Sequence, residues 1–121
     1  MNLGAAAQWL AGEYGGPVEE REALKTTGVT SVSVSNNDPE AVQILFVNVG
    51  ANTINLGLSV AMAVSGGIIL SAGGGAVSMS LRDDGTLPTR EWFARSAAGA
   101  SSLYVLRIRR FAVTPGEGSG D

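Results

Sequence analysis

A chain of 121 residues with no cysteine and no histidine carries 8 basic and 11 acidic side chains, giving a net charge of −3. The length predicts one domain. Without cysteine there are no disulfides or thiol chemistry, and without histidine the serines lack their usual base. The acidic residues collect towards the two ends, and the body between them is near neutrality, which argues against nucleic-acid binding.

The sequence predicts a protein made in the cytoplasm, with no membrane partner. No apolar run reaches the roughly 18 residues that a membrane span needs. The N-terminus carries no positive charge, so a signal peptide is not expected.

Residues 1–26 are rich in alanine and glutamate and predict a short N-terminal helical arm. Apolar side chains recur there at helical spacing, at Leu3, Ala6, Ala7, Leu10 and Tyr14. Pro17 suits the first position of a second short helix that runs through VEEREALK. Two interpretations stay open: the arm packs on its own domain, or it docks on a neighbouring subunit with Trp9 and Tyr14 as anchors.

Residues 27–114 predict the β domain, because short apolar segments alternate there with turns rich in glycine, asparagine, aspartate and serine. Seven strands are expected, within residues 29–35, 41–49, 53–62, 68–70, 76–82, 90–96 and 103–110. They predict a mainly β fold, a single antiparallel β-sandwich or jelly-roll-like domain. The glycine-rich acidic segment 115–121 is expected to be disordered.

Individual strands add detail to this prediction. Residues 42–47 are apolar except for Gln43, which is typical of a central strand covered on both sides. In the last strand, Leu103, Val105, Arg107 and Arg109 share one face by alternation. Trp92 and Phe93 are adjacent in a strand, so only one of them can belong to the core.

The carboxylates offer little support for catalysis. Asp83, Asp84 and Glu91 are candidates for a glycosidase pair. Asp83 and Asp84, followed by Gly85, are explained more simply as a hairpin turn. Lys25 is the only lysine that a serine–lysine pair could use, and it lies in the polar N-terminal zone. We therefore expect no enzymatic activity and no small-molecule substrate.

The sequence gives equally little support for a metal site or a phosphate site. Asn36, Asn37, Asp38 and Glu40 offer oxygens to calcium, but the EF-hand pattern is absent and a turn explains them. Zinc prefers histidine and cysteine ligands, which the chain lacks. The glycines at 73–75 are not followed by the GK[ST] of a phosphate loop and predict a hairpin. No metal and no cofactor are expected.

Arg107, Arg109 and Arg110 form the only basic cluster. Such a cluster often forms a solvated sheet edge that prevents aggregation. The next interpretation is an interface with an acidic protein surface, since arginine pairs with carboxylates through two hydrogen bonds. Nucleic acid ranks third.

The segment 46–108 resembles small structural proteins of tailed-bacteriophage virions. Five short motifs carry the resemblance: Phe46–Asn48, Ile54–Gly57 with Val60, Gly67–Leu70 with Gly73 and Gly74, Val77–Leu81, and Ser102–Leu106. The resemblance covers about half of the chain and excludes the N-terminal zone. It implies a β-sandwich module, such as a capsid decoration (cement) protein or a head-fibre or tail accessory protein, and it brings no catalytic residues.

The leading hypothesis is a homotrimeric capsid decoration protein, made in the host cytoplasm and located on the virion surface. It would bind the major capsid protein and stabilise the assembled shell by mass action. The expected contact residues are Trp9, Tyr14, Trp92, Phe93, Arg107, Arg109 and Arg110. The alternatives are a tail or head-fibre component and, from another class, a carbohydrate-binding lectin-like sandwich.

Overall fold

Two antiparallel sheets of four strands each build the described part of the chain, residues 18–65 and 67–110 of the computed structural model. Sheet A has the strand order β1-β8-β3-β6, and sheet B has the order β2-β7-β4-β5. The strands are β1 (Val18–Thr27), β2 (Val32–Ser35), β3 (Ala41–Asn48), β4 (Ile54–Gly57), β5 (Ile68–Leu70), β6 (Ala76–Ser80), β7 (Trp92–Ser96) and β8 (Ser101–Arg110). Two short helices, α1 (Val60–Ser65) and α2 (Leu81–Asp84), and a 3-10 turn (Leu87–Thr89) connect them.

The strand pairing is that of a jelly roll. The pairs β1–β8, β2–β7, β3–β6 and β4–β5 are nested, like the two arms of one long hairpin folded over on itself. The further pairs β3–β8 and β4–β7 complete the two sheets. This order confirms the predicted mainly β, jelly-roll-like sandwich, with eight described strands where the sequence predicted seven.

The core lies between the sheets and follows from the alternation along each strand. In β3, Ile44 and Phe46 are fully buried, whereas the alternate residues Gln43, Leu45 and Val47 are half-buried on the outer face. Phe46 packs edge to face against Trp92 of sheet B, with 5.7 Å between the ring centroids. Burial of each such side chain contributes about 1.5–3 kcal/mol relative to exposure. The prediction that β3 is central is confirmed, but its outer face is only partly covered.

One end of the sandwich is closed by the buried amide of Asn48. Its Nδ2 donates to the carbonyls of Asn52 at 2.8 Å and Leu70 at 3.0 Å. Its Oδ1 accepts from the Gly50 backbone N–H at 3.1 Å and from Ser101 Oγ at 2.9 Å. All four hydrogen-bonding positions of this amide are therefore filled, as a buried polar group requires.

The predicted helix over residues 17–25 is wrong, because Val18–Thr27 forms the edge strand β1. Glutamate, alanine, leucine and lysine favour helices, but their propensities are small and tertiary pairing overrides them. Here β1 pairs with β8 at all ten positions, from Val18 opposite Arg110 to Thr27 opposite Ser101. Residues 1–17 of the predicted arm and the predicted disordered segment 115–121 lie outside the described residues.

Two predicted hairpins are also wrong. The segment with Asp83 and Asp84 is the one-turn helix α2, which leads from sheet A to sheet B. Ser80 caps this helix by accepting the Asp83 backbone N–H at 3.1 Å. The glycines at 73–75 likewise lie between β5 of sheet B and β6 of sheet A, so they too join different sheets. The predicted strand over residues 53–62 ends at Gly57 and gives way to α1.

Candidate functional site

A polar cleft of about 700 Å³ opens along one side of the sandwich, between the edge strands of the two sheets. One wall comes from β1 and β8, and the opposite wall comes from β2 and the loop that follows it. The lining residues are Arg21, Glu22, Ala23, Lys25, Ser33, Val34, Ser35, Asn36, Asn37, Asp38, Val105, Arg107 and Arg109. We call this site the β1–β2 cleft.

The sequence of β1 explains why the core does not continue into this space. Arg21, Ala23 and Lys25 lie opposite Arg107, Val105 and Leu103 of β8, so they share the inner face of sheet A. Their side chains are charged or small, and none fills the gap as the apolar side chains of β3 and β8 do. The result is a cleft with polar walls and an apolar floor at Val34 and Val105.

Arg109 holds one end of the cleft together. Its Nε donates to Asp38 Oδ2 at 2.8 Å, and one terminal nitrogen donates to Asp38 Oδ1 at 3.2 Å. The other terminal nitrogen donates to Glu19 Oε1 at 2.8 Å. Because the guanidinium gains two carboxylate partners, its pKa is raised above the ordinary value. The positive charge of Arg109 is therefore neutralised within the domain by Asp38 and Glu19.

The two carboxylates respond in the opposite direction. Hydrogen bonds from Arg109 lower the pKa of Asp38, although partial burial opposes this. For Glu19 partial burial opposes ionisation, but the hydrogen bonds from Arg109 and Arg21 outweigh it and the pKa falls. Both groups are thus carboxylates at neutral pH, which suits ion pairing and not proton donation.

Arg107 crosses the cleft. A terminal nitrogen donates to Ser35 Oγ and, at 2.7 Å, to the Asn36 carbonyl, while the other terminal nitrogen lies 3.7 Å from Asp38 Oδ2. Burial lowers the pKa of this guanidinium, and the Asp38 charge opposes that change. Arg107 and Arg109 therefore connect sheet A to the end of β2.

Other donors in the cleft remain available. Lys25 forms no ion pair with residues of the described part, and Arg21 pairs only with Glu19 there, at 3.2 Å, while its side chain is 67 % exposed. The Asn37 side-chain oxygen accepts the Glu91 backbone N–H, which leaves its amide nitrogen without a partner among residues 18–65 and 67–110. These groups can attract and hydrogen-bond an anion.

The residues predicted to contact a partner differ in burial and lie on different parts of the fold. Trp92 is a core residue at 3 % exposure, so it is not available to a partner in this fold, whereas Phe93 lies half-buried on the outer face of sheet B. This confirms that only one of the two is core. Arg110 lies 3.8 Å from Glu40 at the surface. Trp9 and Tyr14 lie outside the described residues.

The prediction of a solvated edge for the arginine cluster is wrong for Arg107 and Arg109. Both point into the cleft because they continue the inner face that begins at Leu103 and Val105. The alternation along β8 indicated this shared face from the sequence. The sequence does not predict the β1 residues that face these arginines. A helix over VEEREALK would not place Glu19, Arg21 and Lys25 on one face, whereas a strand does so by alternation.

The structure separates the other candidate groups. Asp83 and Asp84 lie in α2, where Ser80 Oγ accepts the Asp83 N–H and Asp84 Oδ2 accepts the Ser80 N–H at 2.9 Å. Glu91, just before β7, accepts from Ser33 Oγ of β2 at 2.8 Å. The Asp38 carboxylate is paired with Arg109 and is not free to bind a metal ion. Within residues 18–65 and 67–110, no three acidic side chains are grouped to hold a metal ion.

No protein-family model, no curated protein and no solved structure matches this chain. Among the described helices, none has the length and apolar character to cross a bilayer.

Proposed function

We propose that the protein is a non-catalytic structural module that binds the outside of a protein shell. The specific setting is a tailed-phage capsid, which the sequence resemblance suggests. Such a protein would associate with itself, as a trimer, and with the major capsid protein, and it would be located on the virion surface.

The outer face of sheet A carries this proposal. A cross-strand row of Leu24, Tyr104 and Val47 runs over three strands, and Leu106 lies beside Leu45 in the next row. Leu24 is 65 % exposed, and Leu45, Val47 and Tyr104 are half-buried. Leu81 from α2 packs at the other end of this face, on Val42 and Ile108. A partly apolar sheet face of this kind suits docking on another protein.

The chemistry of the charged groups supports a non-catalytic role. Two acidic residues line the β1–β2 cleft: Asp38 is paired with Arg109, and the Glu22 carboxylate accepts from the Tyr104 hydroxyl at 3.4 Å on the outer face of sheet A. An acid–base catalyst works best with a pKa near the operating pH, and the pKa of Asp38 is shifted away from that range.

The jelly-roll topology is compatible with this setting but does not select it. Viral capsid proteins, lectins and cupins all use this architecture. Function must therefore be argued from the surface that meets the partner.

Co-sedimentation with assembled shells of a tailed-phage major capsid protein tests the proposal. We expect the full chain to sediment with assembled shells and not with dissociated subunits, and light scattering to show a defined oligomer. Leu24→Glu should abolish co-sedimentation. Ile69→Glu is the matched control, because Ile69 is 63 % exposed on sheet B, and it should bind like the wild type.

Two results would contradict the proposal. The first is a strict monomer that stays in the supernatant with assembled shells. The second is equal loss of binding in the Leu24→Glu and Ile69→Glu variants, which would mean that the face of sheet A makes no specific contact.

A further inference from the structure

We propose that the β1–β2 cleft is a second binding site, which takes an acidic, extended polypeptide segment of a partner along the free edge of β1. The site is separate from the outer face of sheet A, and it does not depend on the capsid setting.

The charge of the lining favours an acidic ligand. Four basic residues line the cleft against two acidic ones, Asp38 and Glu22, and the Glu22 side chain turns to the outer face of sheet A, where it accepts from Tyr104. Arg109 is neutralised by Asp38 and Glu19, and Arg107 is held by Ser35 and Asn36. Arg21 and Lys25 are the exposed cations that remain, and both lie on the cleft side of β1. An incoming carboxylate would meet these two first.

The backbone of β1 favours a polypeptide. β1 pairs with β8 over its full length, and residues 18–65 and 67–110 provide no strand on its other side. Alternate N–H and C=O groups of such an edge strand point outwards and can receive a further strand. Addition of a peptide strand to a free edge is a common recognition mode, in which alternate side chains provide the specificity.

The spacing of the cations matches an extended peptide. Arg21 and Lys25 are four residues apart on one strand, which corresponds to about 13 Å. Alternate side chains of an added strand project on the same side as these two residues. Acidic residues at every second position would therefore face the cleft, and neutral residues between them would face Glu20 and Glu22 on the outer side.

The lining argues against a sugar as the ligand. The described aromatic residues lie elsewhere: Phe46 and Trp92 in the core, Phe93 on the outer face of sheet B, and Tyr104 on the outer face of sheet A. No residue that lines the cleft offers an aromatic surface for a sugar ring to stack on.

Titration of the full-length protein with a fluorescent, end-blocked peptide of alternating threonine and glutamate tests this site. We expect saturable binding that weakens with salt, and amide shifts in NMR spectra along β1. The Arg21→Ala/Lys25→Ala double variant should bind about tenfold or more weakly, since it loses two charge-assisted contacts. Arg82→Ala, on α2 beside the far edge of sheet A, is the charge control and should bind within about twofold of the wild type.

The proposal is overturned if the peptide does not bind, or if the double variant and Arg82→Ala lose affinity equally. Equal binding of a threonine–lysine peptide would also overturn it, as would tighter binding of an acidic oligosaccharide such as oligogalacturonate. Arg21 and Lys25 are exposed, so the double variant should keep the wild-type melting temperature and remain a valid test. Peptide titration and shell co-sedimentation are separate assays, so failure at this cleft and failure at sheet A give different results.

Discussion

Arg109 and Asp38 form a two-point ion pair that joins the last described strand of sheet A to the loop after β2 of sheet B. The two hydrogen bonds run in parallel from one guanidinium to both oxygens of one carboxylate, which fixes their relative orientation. Glu19 of β1 occupies the remaining terminal nitrogen of Arg109. A single guanidinium thus connects three segments that are distant in sequence.

Removal of the Asp38 carboxylate should destabilise the fold strongly. Asp38→Ala leaves Arg109 and Arg107 partly buried without this partner, so we expect the free energy of unfolding to fall by about 2–3 kcal/mol. Urea denaturation measures this. Glu40→Ala is the control: its pair with Arg110 spans 3.8 Å between exposed side chains, and its loss should cost less than about 1 kcal/mol. Similar losses in both variants would contradict the role given to Asp38.

Stability should fall in acid, with Asp38 and Glu19 as contributors. Their ordinary pKa values are 3.8 and 4.5, and both are lower in the folded protein. The unfolded chain therefore binds protons first, so the stabilisation is present above these values and is lost as the pH falls through the lower folded-state pKa values. Urea unfolding at a series of pH values below about 5 measures this loss. Asp38→Asn should show a shallower decline than the wild type, and parallel curves would refute the assignment.

The buried amide of Asn48 should contribute strongly to the free energy of unfolding. Asn48→Ala removes four hydrogen bonds, including those to the buried residues Leu70 and Ser101. We expect a loss of about 3 kcal/mol in the free energy of unfolding. Asn55→Ala, on the half-buried outer face of β4, should change it by about 0.5 kcal/mol or less. Comparable melting temperatures for the two variants would contradict this prediction.

Two glycines should respond to alanine with opposite signs. A Cβ on Gly50 would overlap with Ser101 Oγ and the Ser102 backbone nitrogen, so Gly50→Ala should destabilise by about 1–3 kcal/mol. A Cβ on Gly28 would meet no atom within 4 Å and its φ is not positive, so Gly28→Ala should stabilise by about 0.4–1 kcal/mol by restricting the unfolded chain. Calorimetry of both variants tests the sign, and a shift in the same direction for both would be inconsistent with this packing.

Alternation and turn composition were enough to predict the class of fold. The alternating segments that became β6, β7 and β8 were recognised, and the opposite orientations of Trp92 and Phe93 followed from adjacency alone. β1 was not recognised, because its local preference is helical and its strand conformation depends on β8, which lies at the far end of the described chain. Local pattern carries no information on such a distant partner.

The cleft was harder to predict than the fold. Its cations come from β1 and β8, and its acceptors come from β2 and the next loop. The sequence indicates the arginines of β8, but its local pattern predicts a turn at their partner Asp38 and a helix at their partner Glu19. Only the antiparallel register places Glu19 beside Arg109, and the register is a property of the assembled sheet.

The nested pairing of the strands has a consequence for the order of folding. β4 and β5 are close in the chain and can meet early, whereas β1 must wait for β8, with which it forms the longest loop closure. Since β8 also lies between β1 and β3, sheet A stays incomplete on the ribosome until residue 110 has left the exit tunnel. Such a high contact order predicts slow, late docking of the first strand, during which the unpaired edge of β3 is open to misassociation.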